Sequence, residues 1–458
     1  MRFVICGAGK VGYSIADYLS RETNSITIID KDPALIEKIT SDLDVNGLVG
    51  NAASPEVLSN AGLAEADMII AVTYTDEVNM VACQVAHSLF NVPKKIARVR
   101  SQDFLNPSWT NLFSRDHMPI DVIISPEVEV AKAIHRRLMI VGATEVIPIH
   151  DNKAFLIGVI CQEDCPILNT PLAQLRSLFP DVSAEIVSII RGGQAFVPQA
   201  KTQLHAGDEV YFVSEAGSVE RAMKSFGYSG ERTGRTVIIG GGNVGFETAQ
   251  LIKNSSGGKN LTVIEQDKKR AKFLSQNLDD TLVLHGDGLN PEMLREASIN
   301  KAETIIAVSN NDETNALSAL EAKQFGCKRA MALVTRGSYA NLLLSINIDA
   351  IISPQDITVS KILRYVRRGR IKAVTNLRNS FAEFIEAEAS ESCRIINTPL
   401  RDLDIPDEIH ISAIIRDENF IMPNGDTVIR PGDFVVIFAL EGFGTTVERL
   451  FSVDVDLF

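Results

Sequence analysis

Tryptophan is nearly absent: Trp109 stands alone among 458 residues. That removes the aromatic platforms on which single-stranded nucleic acids stack. Basic residues are outnumbered, 45 Lys and Arg against 58 Asp and Glu, leaving a net charge of −13. Such a surface repels the phosphates of nucleic acids and anionic lipids, so no nucleic-acid partner is expected. No apolar run approaches the roughly 18 residues of a membrane-spanning helix, so no direct membrane insertion is expected. No basic leader with an apolar core precedes the first strand, which reads against secretion and for the cytoplasm. The cysteines, Cys6, Cys83, Cys161, Cys165, Cys327 and Cys393, are scattered, and no second close pair joins Cys161 and Cys165 to complete a zinc pattern. They read as small buried apolar groups in a reducing compartment.

Reactive constellations are also missing. His150 and His205 are isolated, and no His-x-x-x-His or clustered carboxylates suggest a metal site. No Ser-x-x-x-Lys or Tyr-x-x-x-Lys pattern stands out. A hydride-transfer enzyme needs an acid or base beside its reacting carbonyl. The pattern favours binding without turnover: no enzyme, no catalytic residue and no metal.

What is present is a repeat. "IIAV" at 69–72 returns at 305–308, and Asp76, Glu77 and Asn79 return as Asp312, Glu313 and Asn315. "IISP" at 123–126 returns at 351–354, "NTPL" at 169–172 at 397–400, and "GD" at 207–208 at 432–433. The order is kept at a period of about 225–236 residues, far longer than a solenoid repeat. Each half reads as two parts. In the first part, short apolar runs ("RFVICG", "SITIID", "NGLVGN", "MIIAVT", "KIARVR", "DVIISP") alternate with helical patterns. Such runs predict a parallel sheet buried on both faces, in a doubly wound Rossmann-type fold. The second part reads as a small α+β domain. It has a strand at 154–161, a helix start at "NTPLAQL" with Thr170 as cap and Pro171 at the first helical position, and a hairpin turning at Gly192-Gly193. The fold class is α/β in two tandem units, with domains expected at 1–123, 144–228, 233–350 and 369–453. The segments 126–140 and 354–371 follow Ser-Pro and read as linker helices, candidates for transmitting a hinge motion. The second carries a basic run, Lys361, Arg364, Arg367, Arg368, Arg370 and Lys372, readable as a solvated helix end or as a phosphate or acidic-partner contact.

The glycines carry the chemistry. Gly7-Ala8-Gly9-Lys10-Val11-Gly12 follows a strand and opens a helix, and Gly240-Gly241-Gly242-Asn243-Val244-Gly245 does so again. In this G-x-G-x-x-G pattern the first glycine allows a tight turn, the second lets backbone approach a pyrophosphate, and the third permits close helix–strand packing. The helix N-terminus offers unbonded N–H groups to the phosphates. Asp30, and Glu265 in the second half, end the next strand, where a carboxylate accepts from ribose hydroxyls and favours NAD over NADP. Ligands sit beyond the carboxyl ends of such strands. That adds Thr73 and Tyr74, matched by Ser309 and Asn310, and Arg98 and Arg100 as candidate phosphate contacts. Asn51, matched by Asp287, reads either as a ribose or adenine contact or as a turn cap.

These stretches resemble a known family. "GAGKVG", Asp30, "GNAASPEVL", "ADMIIAVTYTDEVNMVACQVA", "KIARVRS" and the "NTPL … IIR … GD" domain are similar to RCK domains, regulators of potassium conductance, and the resemblance covers essentially the whole chain. It implies a peripheral regulator on the inner face of the cell membrane, bound to an integral potassium-translocating subunit. It also implies a homotetramer forming a ring of eight RCK domains. NAD or NADH, and in some members ATP or ADP, would bind the clefts and gate transport. The residues it carries over are Gly7 to Val11, Asp30, Thr73, Tyr74, Arg98, Gly240 to Val244 and Glu265. One departure is Gly50-Asn51, where many RCK domains have Gly-Asp, which puts the adenosine contacts of the first cleft in doubt. Two other readings remain open at this point: an NAD-dependent oxidoreductase, and an RCK-type regulator of another cation transporter.

Overall fold

A computed structural model describes the chain apart from residues 22–23, 180, 230–233, 257–259, 337–342, 344–347, 367–370, 378–381 and 452–458. The first apolar runs form β1 (Arg2–Cys6), β2 (Ser25–Asp30), β3 (Asn46–Val49), β4 (Met68–Ala71), β5 (Lys94–Arg98) and β6 (Val122–Ile124). They join as one sheet in the order β3-β2-β1-β4-β5-β6, parallel throughout. This is the doubly wound order, and its reversal between β1 and β4 opens a crevice at the carboxyl edge. Helices cover both faces, so the central strands are continuously apolar: Ile5, Cys6, Ile69, Ile70 and Ala71 are fully buried. Burial pushes the Cys6 thiol up to about 12, so it packs as an apolar group and is not a reactive thiolate.

Two small domains separate and follow the Rossmann sheets. The first holds β7 (Ala143–Ile149), β8 (Ala154–Ile160), β9 (Ala184–Arg191), β10 (Gln194–Phe196) and β11 (Glu209–Glu215), antiparallel in the order β10-β9-β11-β8-β7. Gly192 and Gly193 turn the β9–β10 hairpin with φ of 58° and 81°, the left-handed geometry that a two-residue turn requires. The helix here runs Leu172–Leu178, one residue later than the sequence suggests. Pro171 is its cap residue, and the Thr170 hydroxyl donates back to the Leu168 carbonyl, 3.4 Å, in place of capping.

The second Rossmann sheet is formed by β12 (Arg235–Ile239), β13 (Leu261–Glu265), β14 (Leu282–His285), β15 (Ala302–Ala307), β16 (Arg329–Leu333) and β17 (Ala350–Ile352). Its order, β14-β13-β12-β15-β16-β17, repeats that of the first. The last domain, β18 (Ile371–Leu377), β19 (Ala382–Glu388), β20 (Ile409–Arg416), β21 (Asn419–Ile421) and β22 (Phe434–Leu440), repeats the antiparallel order as β18-β19-β22-β20-β21. The two small sheets share one core, in which Leu156, Val187, Tyr211 and Val213 pack with Phe384, Ala413, Val436 and Phe438.

The "IIR … GD" signature has a structural cause. Asp208 is almost fully buried and accepts two bonds from the Arg191 guanidinium, 2.8 and 2.7 Å, and one from the His205 N–H, 2.8 Å. Arg416 grips Asp433 in the same forked way at 2.8 and 2.7 Å. Burial works against the Asp208 charge, but Arg191 and the His205 N–H outweigh it and hold the carboxyl below its ordinary pKa. Its stabilising effect is therefore complete above the unfolded carboxylate value of ~3.9 and is lost as pH falls through the lower folded value. Asp208→Ala is expected to cost about 1–3 kcal/mol by removing the acceptor of the His205 N–H and of the half-exposed Arg191 fork. Thermal melts of Asp208→Asn should show a flatter acid limb than those of the parent; an unchanged slope would remove Asp208 from the account.

The chain forms two compact units, Met1–Glu129 with Pro354–Val366, and Val130–Ser353 with Arg367–Phe458. The helix Pro354–Val366, which follows the second Rossmann sheet in sequence, thus belongs to the first unit. It packs on the helix Lys10–Ser20, where the Gln355 amide donates to Ser14 Oγ at 2.8 Å, and Lys361 pairs with Glu129 at 3.5 Å. Of the remaining basic run, 367–370 lie outside the described residues.

Candidate functional site

Both glycine loops sit at the carboxyl edge of the first strand of their sheet. Gly7 has φ of 110°, and a Cβ there would lie 3.0 Å from the Thr73 amide nitrogen. A Cβ on Gly12 would lie 1.8 Å from the Gly7 carbonyl oxygen, so strand and helix touch backbone to backbone. Gly9 differs: a Cβ there meets nothing within 4 Å. The second loop repeats this, with Gly245 at 2.0 Å from the Gly240 oxygen and Gly242 facing open space. The first and third glycines close the turn, and the middle one borders a space that a phosphate can fill.

The acid at the end of the second strand holds each loop. Asp30 accepts from the N–H of Ala8, 2.7 Å, and of Asp32, 2.9 Å. Glu265 accepts from Gly241, 2.6 Å, and Asp267, 2.7 Å. Each carboxylate oxygen keeps lone-pair capacity for a ribose hydroxyl.

An element missing from the candidate residues organises the opposite wall. Asn79, fully buried in the helix Asp76–Ser88, accepts from the Thr73 N–H and hydroxyl at 2.8 and 2.7 Å. Its amide donates to the carbonyls of Thr73, 3.1 Å, and Arg98, 2.9 Å. It thereby ties the ends of β4 and β5 together. Asn315 repeats all four bonds to Ser309 and Leu333. Asp76 and Asp312 likewise anchor the turn after the fifth strand, Asp76 through the N–H groups of Arg100 and Ser101. The doubled Asp-x-x-Asn spacing is the available signal for these residues.

The charged groups of the first cleft converge here. Arg98 Nη2 donates to the Thr73 carbonyl at 2.7 Å. Burial, then the neighbouring Arg100 cation, lower the Arg98 pKa. Arg100 donates to Glu127 at 2.9 Å and lies 5.5 Å from the ring centre of the exposed Tyr74. Burial opposes its charge, yet the Glu127 bond prevails and raises its pKa. Asn51 and Asp287 accept from Ala53 and Leu289 at 3.0 Å each, the turn-capping geometry. His150 and His205 lie in or beside the small sheets, not in the clefts: His150 packs on Phe434, ring centres 4.2 Å apart.

Two Rossmann clefts, each with a small antiparallel domain behind it in sequence, define a tandem RCK-type protein. The chain belongs to the TrkA family. The TrkA-N domain model matches residues 3–126 and 236–354, and the TrkA-C domain model matches 156–227 and 384–442. The chain is 46% identical over 458 residues to the Trk system potassium uptake protein TrkA of Azorhizobium caulinodans, covering all of both chains. It is 36% identical over 462 residues to that of Halomonas elongata, again covering both fully. Among solved structures, the GsuK channel matches with a TM-score of 0.61 at 16% identity, over 98% of this chain and 78% of that one. The GsuK channel bound to NAD matches at 0.60 and 15% over the same shares. At such identities these two show a shared fold.

Proposed function

We propose that this chain is a nucleotide-sensing regulatory subunit of a potassium uptake system. It binds NAD or NADH, and also ATP or ADP, and gates an integral membrane Trk-type potassium-translocating subunit from the cytoplasmic face. Its domains are Rossmann at 1–123 and 233–350 and small α+β at 144–228 and 369–453, and four chains would supply a ring of eight. The observation that carries the reading is the contrast within each loop: two glycines pressed against backbone and a middle one facing open space, beside an acid at the strand end. Gly7 to Gly12, Asp30, Thr73, Tyr74, Arg98 and Arg100 would hold the first ligand, and Gly240 to Gly245, Glu265 and Ser309 the second. Asn51 and Asp287 would shape the floor as turn caps. The full-length match to the curated TrkA proteins, whose names state potassium uptake, supports the role.

Binding without turnover fits the side chains in the clefts. Asp30 and Arg100 are engaged in hydrogen bonds that fix the glycine loop and a neighbouring charge, and neither is placed as a lone acid or base. No helix among the described residues is long and apolar enough to cross a membrane, as suits a peripheral subunit. A ligand can gate only by binding two states unequally. A coupling of roughly 1–3 kcal/mol changes the ratio of those states about 5- to 150-fold.

Titration calorimetry of NADH against Asp30→Ala tests the site. Loss of the ribose contacts should weaken the first cleft at least tenfold, about 1.4 kcal/mol or more, with no oxidation of NADH across a panel of carbonyl substrates. Unchanged affinity, or steady turnover, would contradict the reading.

A further inference from the structure

The two clefts share a backbone but not a charge pattern. The shared hydrogen bonds align them residue by residue. Asn79 bonds the Arg98 carbonyl where Asn315 bonds that of Leu333. Asp76 accepts from the Arg100 N–H where Asp312 accepts from that of Thr335. Two guanidinium groups at the carboxyl end of β5 are therefore replaced by an apolar side chain and a hydroxyl at the end of β16. Tyr74, whose ring centre lies 5.5 Å from the Arg100 guanidinium, is replaced by Asn310. The next residue, Arg336, aligns with Ser101 through the shared bond to Asp76 or Asp312, and so stands one position past Arg100, where it pairs with Glu313 at 3.3 Å.

Donor capacity differs in the same direction. In the first unit, the donors Arg98 Nε, Gln102 Nε2 and Ser125 Oγ are buried without a partner among the described residues, as are the acceptor oxygens Asp76 Oδ1 and Glu127 Oε2, which cannot themselves bind a phosphate. A buried unpaired polar atom is costly unless a ligand or water satisfies it. In the second cleft both Asp312 oxygens are spent on the Thr335 N–H and hydroxyl, at 3.0 to 3.2 Å. The second cleft carries its cation at the other end. Arg270 donates to the Gly241 carbonyl at 2.6 Å and lies 4.7 Å from the Phe273 ring centre. Arg270 follows Glu265 by five residues, and the residue five after Asp30 in the first cleft is the uncharged Leu35. Arg270 thus fastens the glycine loop, away from where Arg98 and Arg100 stand.

We propose that the clefts divide the task by phosphate charge. The first distinguishes nucleotides by the charge of the phosphate chain through Arg98 and Arg100. The second, with Leu333 and Thr335 in their place, binds an adenosine diphosphate moiety and is indifferent to phosphates beyond it. Charge-assisted contacts are about twice as strong as neutral ones, so a third phosphate changes affinity where a guanidinium meets it. This rests on the nucleotide reading above.

The test uses the full chain with one cleft blocked at a time. Gly9→Glu and Gly242→Glu each place a carboxylate in the open space of one loop without meeting protein atoms within 4 Å at Cβ. Calorimetry with ATP and ADP, in low salt without magnesium, then reads each remaining cleft. The Gly242→Glu chain should prefer ATP over ADP at least tenfold, and Arg100→Thr in that background should cut the preference fivefold or more. The Gly9→Glu chain should bind the two within threefold of each other. Adding Thr335→Arg, at an exposed position, should raise its ATP preference at least fivefold. A tenfold ATP preference in the Gly9→Glu chain, or equal ratios in both clefts, would overturn this inference while leaving nucleotide binding intact. No binding of either nucleotide to the parent chain would overturn both.

Discussion

Gly12→Ala is expected to abolish the first cleft. Its methyl group would stand 1.8 Å from the Gly7 carbonyl oxygen, a backbone atom that cannot swing aside. Either the helix Lys10–Ser20 lifts off β1 or the loop deforms. Overpacking of this kind costs about 3 kcal/mol and displaces the N–H groups that face the phosphates. NADH affinity at that cleft should fall about 100-fold, roughly 2.7 kcal/mol. Gly9→Ala is the contrast. Gly9 has ordinary backbone angles, φ −67° and ψ −176°, and space around it. Its alanine variant should melt within a degree or two of the parent, yet crowd the ligand. Melting and calorimetry on both variants would separate these effects; equal stability loss in the two would refute the assigned glycine roles.

Asn79→Ala should be the most damaging single truncation in the first cleft wall. Its side chain is fully buried and makes four hydrogen bonds to Thr73 and Arg98. Removal strands the Thr73 N–H and the Arg98 carbonyl, while the Thr73 carbonyl keeps its bond from Arg98 Nη2. At about 1–3 kcal/mol per orphaned group, with partial relaxation, the loss should reach about 3–4 kcal/mol. Chemical denaturation of the first unit measures it. Asn79→Asp keeps the acceptor oxygens but loses the donor, and should fall between the parent and the alanine variant. A loss below about 1 kcal/mol for Asn79→Ala would show that other contacts hold β4 to β5.

The doubly wound sheets are legible in the sequence because their central strands are buried on both faces and therefore continuously apolar. The glycine spacing locates their carboxyl edge as well. The small domains are less legible. β7 does not read as a strand because Pro148 lies within it; proline is tolerated there because β7 is the edge of its sheet. Its counterpart β18 is equally hidden. The helix at Leu172–Leu178 starts one residue later than its sequence suggests, since Thr170-Pro171 satisfies capping rules that local folding then declines. In the clefts, Asp30 and Glu265 stand out by distance from the glycines. Asn79 and Asn315 do not, since an asparagine inside a helix declares no function until the fold brings the next strand beside it. Arg270 lies in "DKKRAK", a charged run that reads as solvated surface, although two aromatic rings and the Gly241 carbonyl receive it. The attachment of Pro354–Val366 to the first unit has no local signal at all, because it depends on a long-range surface match.

The central claim is that nucleotide binding in these clefts gates potassium movement. Potassium flux through a Trk-type translocating subunit in proteoliposomes tests it most directly. The measurement compares the pore alone, the pore with this protein, and the pore with the Gly9→Glu, Gly242→Glu double variant, each with and without NADH, ATP or ADP. The account predicts that the protein changes flux, that at least one nucleotide shifts that change about fivefold or more, and that the double variant still binds the pore but no longer responds to nucleotide. Flux indifferent to the protein, or a nucleotide response surviving in the double variant, would contradict it.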